Sequence, residues 1–201
     1  MAKLYFRHGA MGSAKTLNLL AVRHNYVQQG KKVLLIKPAM DERFGNQTIR
    51  SRAGLEHPAD LVVDAETRLE PERFRGLSCV LVDECQFLSA SMVEQLRELT
   101  RTMNIPVIAY GLRTDFRTRL FEGSRRLMEL ADAIEEVKTT CRFCNRKAVF
   151  NLRHDPEGRA LVDGPTVLLG TEECYSPTCF ECYQSRIDEA KAAAAGEFTA
   201  R

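Results

Sequence analysis

The amino-acid sequence predicts an α/β fold in which a parallel sheet is flanked by helices and followed by a small second domain. Short apolar runs alternate with amphipathic segments over the first two thirds of the chain, which is the pattern of strand–helix–strand units. The rest is rich in cysteine and turn-forming residues. With 201 residues, 44% of them hydrophobic, the chain can bury a core of ordinary domain size and still carry an appendage.

Strand and helix signals follow each other along the first 138 residues. An apolar run that stops at Pro38 indicates a parallel strand buried on both faces. Helical periodicity begins at Thr16 and continues to Gln29, and Gly30 is placed to end that helix. The predicted strands cover 3–7, 32–37, 61–63, 79–82, 106–110 and 134–137, and a later helix covers 124–131.

Two further segments have specific local signals. Ser91 and Glu94 have the spacing of a capping box, which predicts a helix capped by Ser91 that runs through Met103. Residues 40–58 are polar and rich in turn formers, so they are predicted to form one long loop. Long ordered loops are often functional, which makes this segment a candidate for ligand contacts.

Composition excludes several classes of protein. A net charge of +2 gives no general attraction to nucleic acid or to a membrane surface. The apolar runs reach only about five residues, too short to span a membrane, and Arg7 and His8 interrupt any leader-like segment. The seven cysteines are an odd number without an export signal, so we expect reduced thiols or metal ligands in a cytoplasmic protein.

A phosphate-binding loop is predicted where the first strand meets the first helix. A glycine-rich turn that ends in Lys-Thr and opens a helix directs backbone N–H groups and the positive helix end at phosphates. Lys15 then reaches the β- and γ-phosphates, and the Thr16 hydroxyl holds Mg²⁺. An ordinary strand–turn–helix is the alternative. The predicted nucleotide-binding residues here are Gly9, Ala10, Met11, Gly12, Ser13, Ala14, Lys15 and Thr16.

Ala14 departs from this loop pattern, which has glycine at that position. An alanine is tolerated wherever φ is negative, whereas positive φ costs about 1 kcal/mol or more. We therefore expect a negative φ at Ala14 and little effect of its methyl group on phosphate binding.

Asp83 and Glu84 follow the apolar strand 79–82 directly. Ligands of open α/β sheets bind at this end of the strands, and a carboxylate there commonly holds Mg²⁺. Adjacent residues leaving a strand point in opposite directions, so Asp83 can face the metal while Glu84 faces the acceptor as a base. The acceptor is a hydroxyl in a kinase and water in a simple NTPase, and two solvated acids remain the plain alternative.

Two Cys-x-x-Cys pairs, separated by 34 residues, predict a structural zinc site. Four thiolates satisfy tetrahedral Zn²⁺ and leave no open position for catalysis. Two separate redox or packing pairs are the alternative. The ligands are Cys141, Cys144, Cys179 and Cys182. These signals divide the chain into an ATP-binding α/β domain at 1–138, a zinc-binding domain at 139–185 and a tail at 186–201.

A basic stretch between Arg113 and Arg126 contains five arginines. A solvated helix face and phosphate neutralisation are both compatible with it, and the residues alone do not choose between them.

Taken together, these motifs resemble the type II, or cytosolic-type, thymidine kinases over nearly the whole chain. The likeness depends on the order and spacing of several short blocks. The blocks are Gly9-x-Met11-x-Ser13-x-Lys15-Thr16, Lys37-Pro38-Ala39-x-Asp41-x-Arg43, Asp83-Glu84-x-Gln86-Phe87, Tyr110-Gly111-Leu112-Arg113-Thr114-Asp115-Phe116 and the two Cys pairs, with Tyr175 four residues before Cys179. The resemblance implies transfer of the γ-phosphate of ATP to the 5′-hydroxyl of thymidine or deoxyuridine.

The resemblance also implies individual roles. Glu84 is the base, and Arg43 acts on the phosphate side. Nucleotide binding extends over Asp83, Glu84, Cys85 and Gln86. Phe87, Phe116 and Phe121 line the nucleoside pocket, and a lasso loop with Leu169, Gly170 and Tyr175 closes over the base. A homotetramer and feedback inhibition by dTTP are further implications, while Thr171 departs from the glycine often found in the family.

Two other functions compete with this interpretation. A zinc-containing P-loop NTPase can act as a switch or as a nucleic-acid-handling module, but near-neutral charge and the lack of tryptophan disfavour a nucleic-acid surface. A zinc-knuckle binding module with a degenerate phosphate loop is the second. Neither nucleic acid nor a membrane is an expected partner.

Overall fold

The computed structural model describes residues 1–41, 47–166 and 174–199, without the side chains of 196–199. The predicted site residues Arg43, Leu169 and Gly170 therefore lie outside the described residues, as does Thr171. The chain forms two compact units. Unit 1 comprises 1–9, 14–113 and 120–137, and unit 2 comprises 10–13, 114–119 and the chain from 138 onward.

Unit 1 is built on a six-stranded sheet with the order β5-β2-β6-β7-β1-β8. Every pair of neighbouring strands is parallel, which confirms the predicted sheet. The strands of unit 1 are β1 (Leu4–His8), β2 (Val33–Pro38), β3 (Thr48–Arg50), β4 (Glu56–Pro58), β5 (Leu61–Val63), β6 (Cys79–Val82), β7 (Val107–Gly111) and β8 (Ala133–Glu136).

Helices flank both faces of this sheet, as predicted. On one face, α1 (Lys15–Gln28) buries Leu19 and Leu20 in an apolar cluster with β2, β6 and β7. On the other face, α2 (Ala90–Thr102) and α3 (Glu122–Leu130) pack in a larger cluster. The central strands β2, β6 and β7 are buried on both sides, which explains why their sequences are nearly continuous apolar runs.

Three local predictions can be compared with the structure. Gly30 follows α1 with φ of 70°, and its N–H donates to the Val27 carbonyl at 2.9 Å, which confirms the helix end. The capping box was placed wrongly, because α2 begins at Ala90 and the Ser89 side chain accepts from the Met92 N–H. The single long loop at 40–58 is also wrong, since β3 and β4 pair there as an antiparallel hairpin.

Unit 2 contains an antiparallel pair, β9 (Phe150–Arg153) and β10 (Tyr175–Thr178), followed by α4 (Phe180–Thr199). Its buried apolar cluster consists of only Leu152, Tyr183 and Ile187 among the described residues. The helix α4 begins at Phe180 and therefore continues across residue 186, where the predicted tail begins. Among the residues that the structure describes, no helix has the length and apolarity needed to cross a membrane.

Candidate active site and metal centre

The phosphate loop connects β1 to α1, and its first residue and its last three residues belong to unit 1. The Gly9 N–H donates to the Gly111 carbonyl at 3.3 Å, which ties the start of the loop to β7. Lys15 is 8% exposed, and its Nζ donates to the Gly9 carbonyl at 3.0 Å. The ammonium group therefore bridges back to the start of the loop at the N-terminus of α1, where anions are favoured.

Ala14 is the N-cap of α1 and has φ of 62° and ψ of 30°. The expectation of a negative φ is wrong, because the turn into α1 places this residue in the left-handed region. An L-residue there costs about 1–2 kcal/mol, which glycine would avoid. The loop keeps its glycine-type backbone and bears the strain of the methyl group.

Thr16 and Asp83 meet at the carboxyl end of the sheet. The Thr16 hydroxyl lies 3.1 Å from one carboxylate oxygen of Asp83 and 3.3 Å from the other. Asp83 follows β6, which lies between β2 and β7, and is only 5% exposed. A hydroxyl and a carboxylate brought together at a phosphate loop are the oxygen donors that Mg²⁺ accepts, so these residues fit that cation.

Glu84 is half-buried and is held in place by Gln86. Its backbone is left-handed, with φ of 48°, at the start of a short 3₁₀ turn. The Gln86 side chain donates to Glu84 Oε2 at 2.5 Å and accepts the Leu112 N–H at 3.0 Å. Because Gln86 is 2% exposed, its amide has little freedom, and the carboxylate of Glu84 is aimed by a rigid partner.

Two glycines make room for this turn. A Cβ built on Gly111 would lie 2.5 Å from Gln86 Oε1 and 2.6 Å from Cys85 Sγ. A Cβ on Gly123 would lie 2.4 Å from the Cys85 carbonyl oxygen. Real Cβ atoms do not approach other atoms so closely, so both positions require glycine for space.

Cys85, which the resemblance places in the nucleotide-binding segment, is packed in the apolar cluster of unit 1. Burial raises the pKa of its thiol, and the negative charges of Glu84 and Asp83 raise it further. The thiol therefore stays protonated and acts as a small apolar group beneath the acidic pair.

The predicted aromatic residues are divided between the units. In unit 1, the rings of Phe87 and Phe121 make an edge-to-face contact with centroids 5.9 Å apart. In unit 2, Phe116 is 2% exposed, and Tyr175 is the first residue of β10. Phe87 and Phe121 are therefore in contact within unit 1, and Phe116 is buried within unit 2.

The middle of the phosphate loop, residues 10–13, belongs to unit 2. There the Met11 N–H donates to the side-chain oxygen of Asn151 at 2.8 Å. Asn151 lies on β9 and is 4% exposed. The sequence analysis missed Asn151 because one polar residue in a short strand carries no motif.

The four predicted zinc ligands lie together in unit 2. Their sulfur atoms are all within 4.8 Å of one another, and those of Cys144 and Cys179 are 3.6 Å apart. Tetrahedral zinc–thiolate bonds of about 2.3 Å require sulfur–sulfur distances of about 3.8 Å, so the cluster fits a structural zinc ion.

The pKa values of two thiols in this cluster are shifted in opposite directions. Burial opposes ionisation of Cys141, but backbone N–H groups outweigh it and lower its pKa to about 6. Hydrogen bonding to the neighbouring Cys179 raises the pKa of Cys182 to about 12. Four thiolates cannot all ionise so close together without a cation, which is the electrostatic setting of a metal centre.

Comparison with known proteins decides the family. The family model for thymidine kinase matches residues 2–183. The chain belongs to the thymidine kinase family. A thymidine kinase of Legionella pneumophila subsp. pneumophila is 46% identical over 187 residues, which are 89% of this chain and 88% of that protein.

Two other thymidine kinases also align with most of this chain. One from Shouchella clausii is 42% identical and covers 92% of this chain and 97% of its own. One from Lactiplantibacillus plantarum is 43% identical, with coverage of 91% and 96%. Among solved structures, the Pif1 helicase from Candida albicans covers 68% of this chain and 36% of its own at 12% identity, with a TM-score of 0.42.

Proposed function

We propose that this protein phosphorylates thymidine, or deoxyuridine, at the 5′-hydroxyl with the γ-phosphate of ATP. The observation that carries the proposal is the acidic pair at the end of β6. Asp83 lies against the Thr16 hydroxyl of the phosphate loop, while Glu84 is held separately by Gln86. One carboxylate thus serves the donor side, and the other is available to the acceptor.

The phosphate loop is proposed to bind ATP. Backbone N–H groups of residues 9–16 and the ammonium of Lys15 offset the charge of the phosphates. Thr16 and Asp83 would hold Mg²⁺, which when bound neutralises charge between the β- and γ-phosphates. Arg43, outside the described residues, is proposed to act on the phosphate side.

Glu84 is proposed to be the general base. Its carboxylate accepts the proton of the 5′-hydroxyl as the oxygen attacks the γ-phosphorus, and the bond from that phosphorus to ADP breaks. Gln86 occupies one carboxylate oxygen, so the group cannot turn away from the acceptor. Positioning and electrostatics, more than covalent chemistry, account for rate enhancement in phosphoryl transfer.

The nucleoside is proposed to contact three phenylalanine rings. Phe87, Phe116 and Phe121 supply the apolar surface that a pyrimidine and its deoxyribose need. Tyr175, together with Leu169 and Gly170 in the segment outside the described residues, is proposed to grip the base. The proposed domains along the chain are an ATP-binding domain at 1–138, a domain with the zinc site and the nucleoside loop at 139–185, and a tail from 186 to 201.

The Cys cluster is proposed to hold one structural Zn²⁺ per chain. All four ligands are thiolates, which leaves no position for a reacting group. Such a site needs a reducing compartment, and this favours the cytoplasm. We further propose a homotetramer that dTTP inhibits, as the family resemblance implies.

An ADP-release assay tests this function. Purified protein with ATP and Mg²⁺ is given thymidine, deoxyuridine, single-stranded DNA or no acceptor. The proposal predicts ADP formation that depends on thymidine or deoxyuridine. ADP formation without an acceptor, or formation stimulated only by DNA, would instead identify an NTPase switch or nucleic-acid module.

A further inference from the structure

Phe116 of unit 2 lies under two arginine side chains. The guanidinium carbon of Arg117 is 5.2 Å from the ring centroid, and that of Arg153 is 5.1 Å away. Both distances are within the range of cation–π attraction. We call Arg117 and Arg153 the guanidinium pair.

Arg153 is an unusual buried cation. It is 7% exposed, and its Nε has no hydrogen-bond partner among the described residues. Arg117 has a carboxylate nearby, with its Nε 3.8 Å from Asp115. No described carboxylate forms a salt bridge with Arg153, so part of its burial cost is offset by the Phe116 ring. A buried charge of this kind is weak evidence for stability and calls for another role.

The guanidinium pair also holds residues 164–166. Arg153 Nη1 donates to the Pro165 carbonyl at 2.9 Å, and Arg117 Nη2 donates to the Thr166 hydroxyl at 2.8 Å. A Cβ on Gly164 would lie 3.0 Å from Arg153 Nη1, so glycine lets the chain pass over the guanidinium. Two consecutive residues are thereby hydrogen-bonded to the two arginines that contact the Phe116 ring.

The backbone around Phe116 is fixed as well. Its carbonyl accepts the Tyr183 hydroxyl at 2.7 Å. The Asp115 carboxylate accepts the N–H groups of Arg117 and Arg119 at 2.9 and 2.8 Å, which closes a tight turn. The ring thus extends from a fixed backbone, and the guanidinium pair contacts it.

We propose that Arg117 and Arg153 are positioning residues that hold the Phe116 ring for nucleoside binding. This inference depends on the proposed function, in which Phe116 contacts the nucleoside. The pair acts on affinity for the nucleoside and leaves phosphoryl transfer unchanged. It also gives one member of the basic stretch, Arg117, a role distinct from a solvated face or phosphate neutralisation.

The test compares Arg153→Met and Arg117→Met with Arg159→Met. Arg159 is in the same unit, 73% exposed, and pairs with Asp155, so its variant removes the same charge without touching Phe116. We expect Arg153→Met to raise KM for thymidine about 3- to 30-fold, as for the loss of one desolvated cation–π contact. Arg117→Met is expected to raise KM for thymidine only about 2- to 5-fold, because the Arg117 side chain is partly exposed.

Two further measurements separate positioning from a structural role. Methionine fills a similar volume without a buried charge, so the melting temperature of Arg153→Met should equal or exceed that of the wild type. Arg153→Lys keeps the charge but loses the planar fork, and should recover only part of the affinity. The double variant should raise KM by less than the product of the single effects, because both arginines act on one ring.

Calorimetric binding of thymidine and of ADP supplies a readout besides turnover. The proposal predicts weaker thymidine binding with ADP binding and kcat unchanged within about twofold. Loss of ADP affinity would overturn the proposal and indicate that these arginines bind phosphate. Thymidine affinity equal to that of Arg159→Met would also overturn it. If the wild-type protein binds ADP but neither binds nor phosphorylates thymidine, the proposed function fails and this inference fails with it.

Discussion

The two units of this thymidine kinase family member hold their functional groups by different means. In unit 1, Thr16, Asp83 and Glu84 lie at the edge of a parallel sheet backed by an apolar cluster on each face. In unit 2, a cluster of three buried apolar residues accompanies four closely spaced thiols. Apolar burial is enough to stabilise the first unit, whereas the small core among the described residues of unit 2 is the setting in which the proposed metal cross-link would add stability.

The largest effect expected is on chemistry in unit 1 alone. Glu84→Gln keeps the shape of the side chain but cannot accept a proton, so kcat should fall about 10²–10⁴-fold. ADP binding should be retained because the phosphate loop is unchanged. The matched control is Glu94→Gln, which changes an exposed glutamate paired with Arg126. Near wild-type kcat for Glu84→Gln would exclude this residue as the base.

Breaking the metal centre should affect unit 2 first. Cys144→Ser removes one of four ligands, and we expect loss of the single zinc per chain and a lower melting temperature. KM for thymidine should rise more than KM for ATP, because Cys179 directly follows β10, which begins at Tyr175, whereas Lys15, Thr16 and Asp83 of the phosphate site belong to unit 1. Cys174→Ser is the control, since Cys174 lies outside the described cluster. Elemental analysis that finds no zinc in wild-type protein prepared without chelator would contradict the proposal.

A smaller change tests how tightly unit 1 is packed around Glu84. Gly111→Ala forces a methyl group against Gln86 and Cys85, and should cost about 1–3 kcal/mol of unfolding free energy through overpacking. It should also lower kcat, because Gln86 no longer aims Glu84. Gly76→Ala has open space but a φ of 74°, so it should lose stability without losing activity. Equal kcat for the two variants would show that Gln86 does not position the base.

The smallest effect concerns the strained turn of the phosphate loop. Ala14→Gly relieves left-handed strain of about 1–2 kcal/mol but stabilises the unfolded chain by about 0.4–1 kcal/mol, so the free energy of unfolding should rise by up to about 1.6 kcal/mol. ATP affinity should change by no more than a few-fold. Ala10→Gly, in the same loop without positive φ, should be destabilising instead. Chemical denaturation of both variants checks the signs, and destabilisation by Ala14→Gly would contradict them.

The same contrast explains what the sequence could predict. Strands such as β6 were predicted to the residue because continuous apolar runs specify buried parallel strands. The cysteine spacing predicted which four thiols meet. The φ of Ala14 was predicted wrongly, because local preference for negative φ gave way to the geometry of the turn into α1.

Other features had no sequence signal at all. The contacts of Asn151 with the Met11 backbone and of Arg153 with Phe116 join residues far apart in the chain. A strand of four residues gives too little pattern to mark either side chain. Long-range polar contacts of this kind depend on tertiary packing, which local propensity and periodicity do not encode.

The central claim is that the acidic pair serves transfer to a nucleoside hydroxyl and not to water. Phosphorus NMR of a reaction containing protein, ATP, Mg²⁺ and thymidine tests it most directly. The account predicts a 5′-phosphate monoester of thymidine that accumulates in step with ADP, with little inorganic phosphate. Inorganic phosphate released at the same rate with and without thymidine, and no monoester, would contradict it.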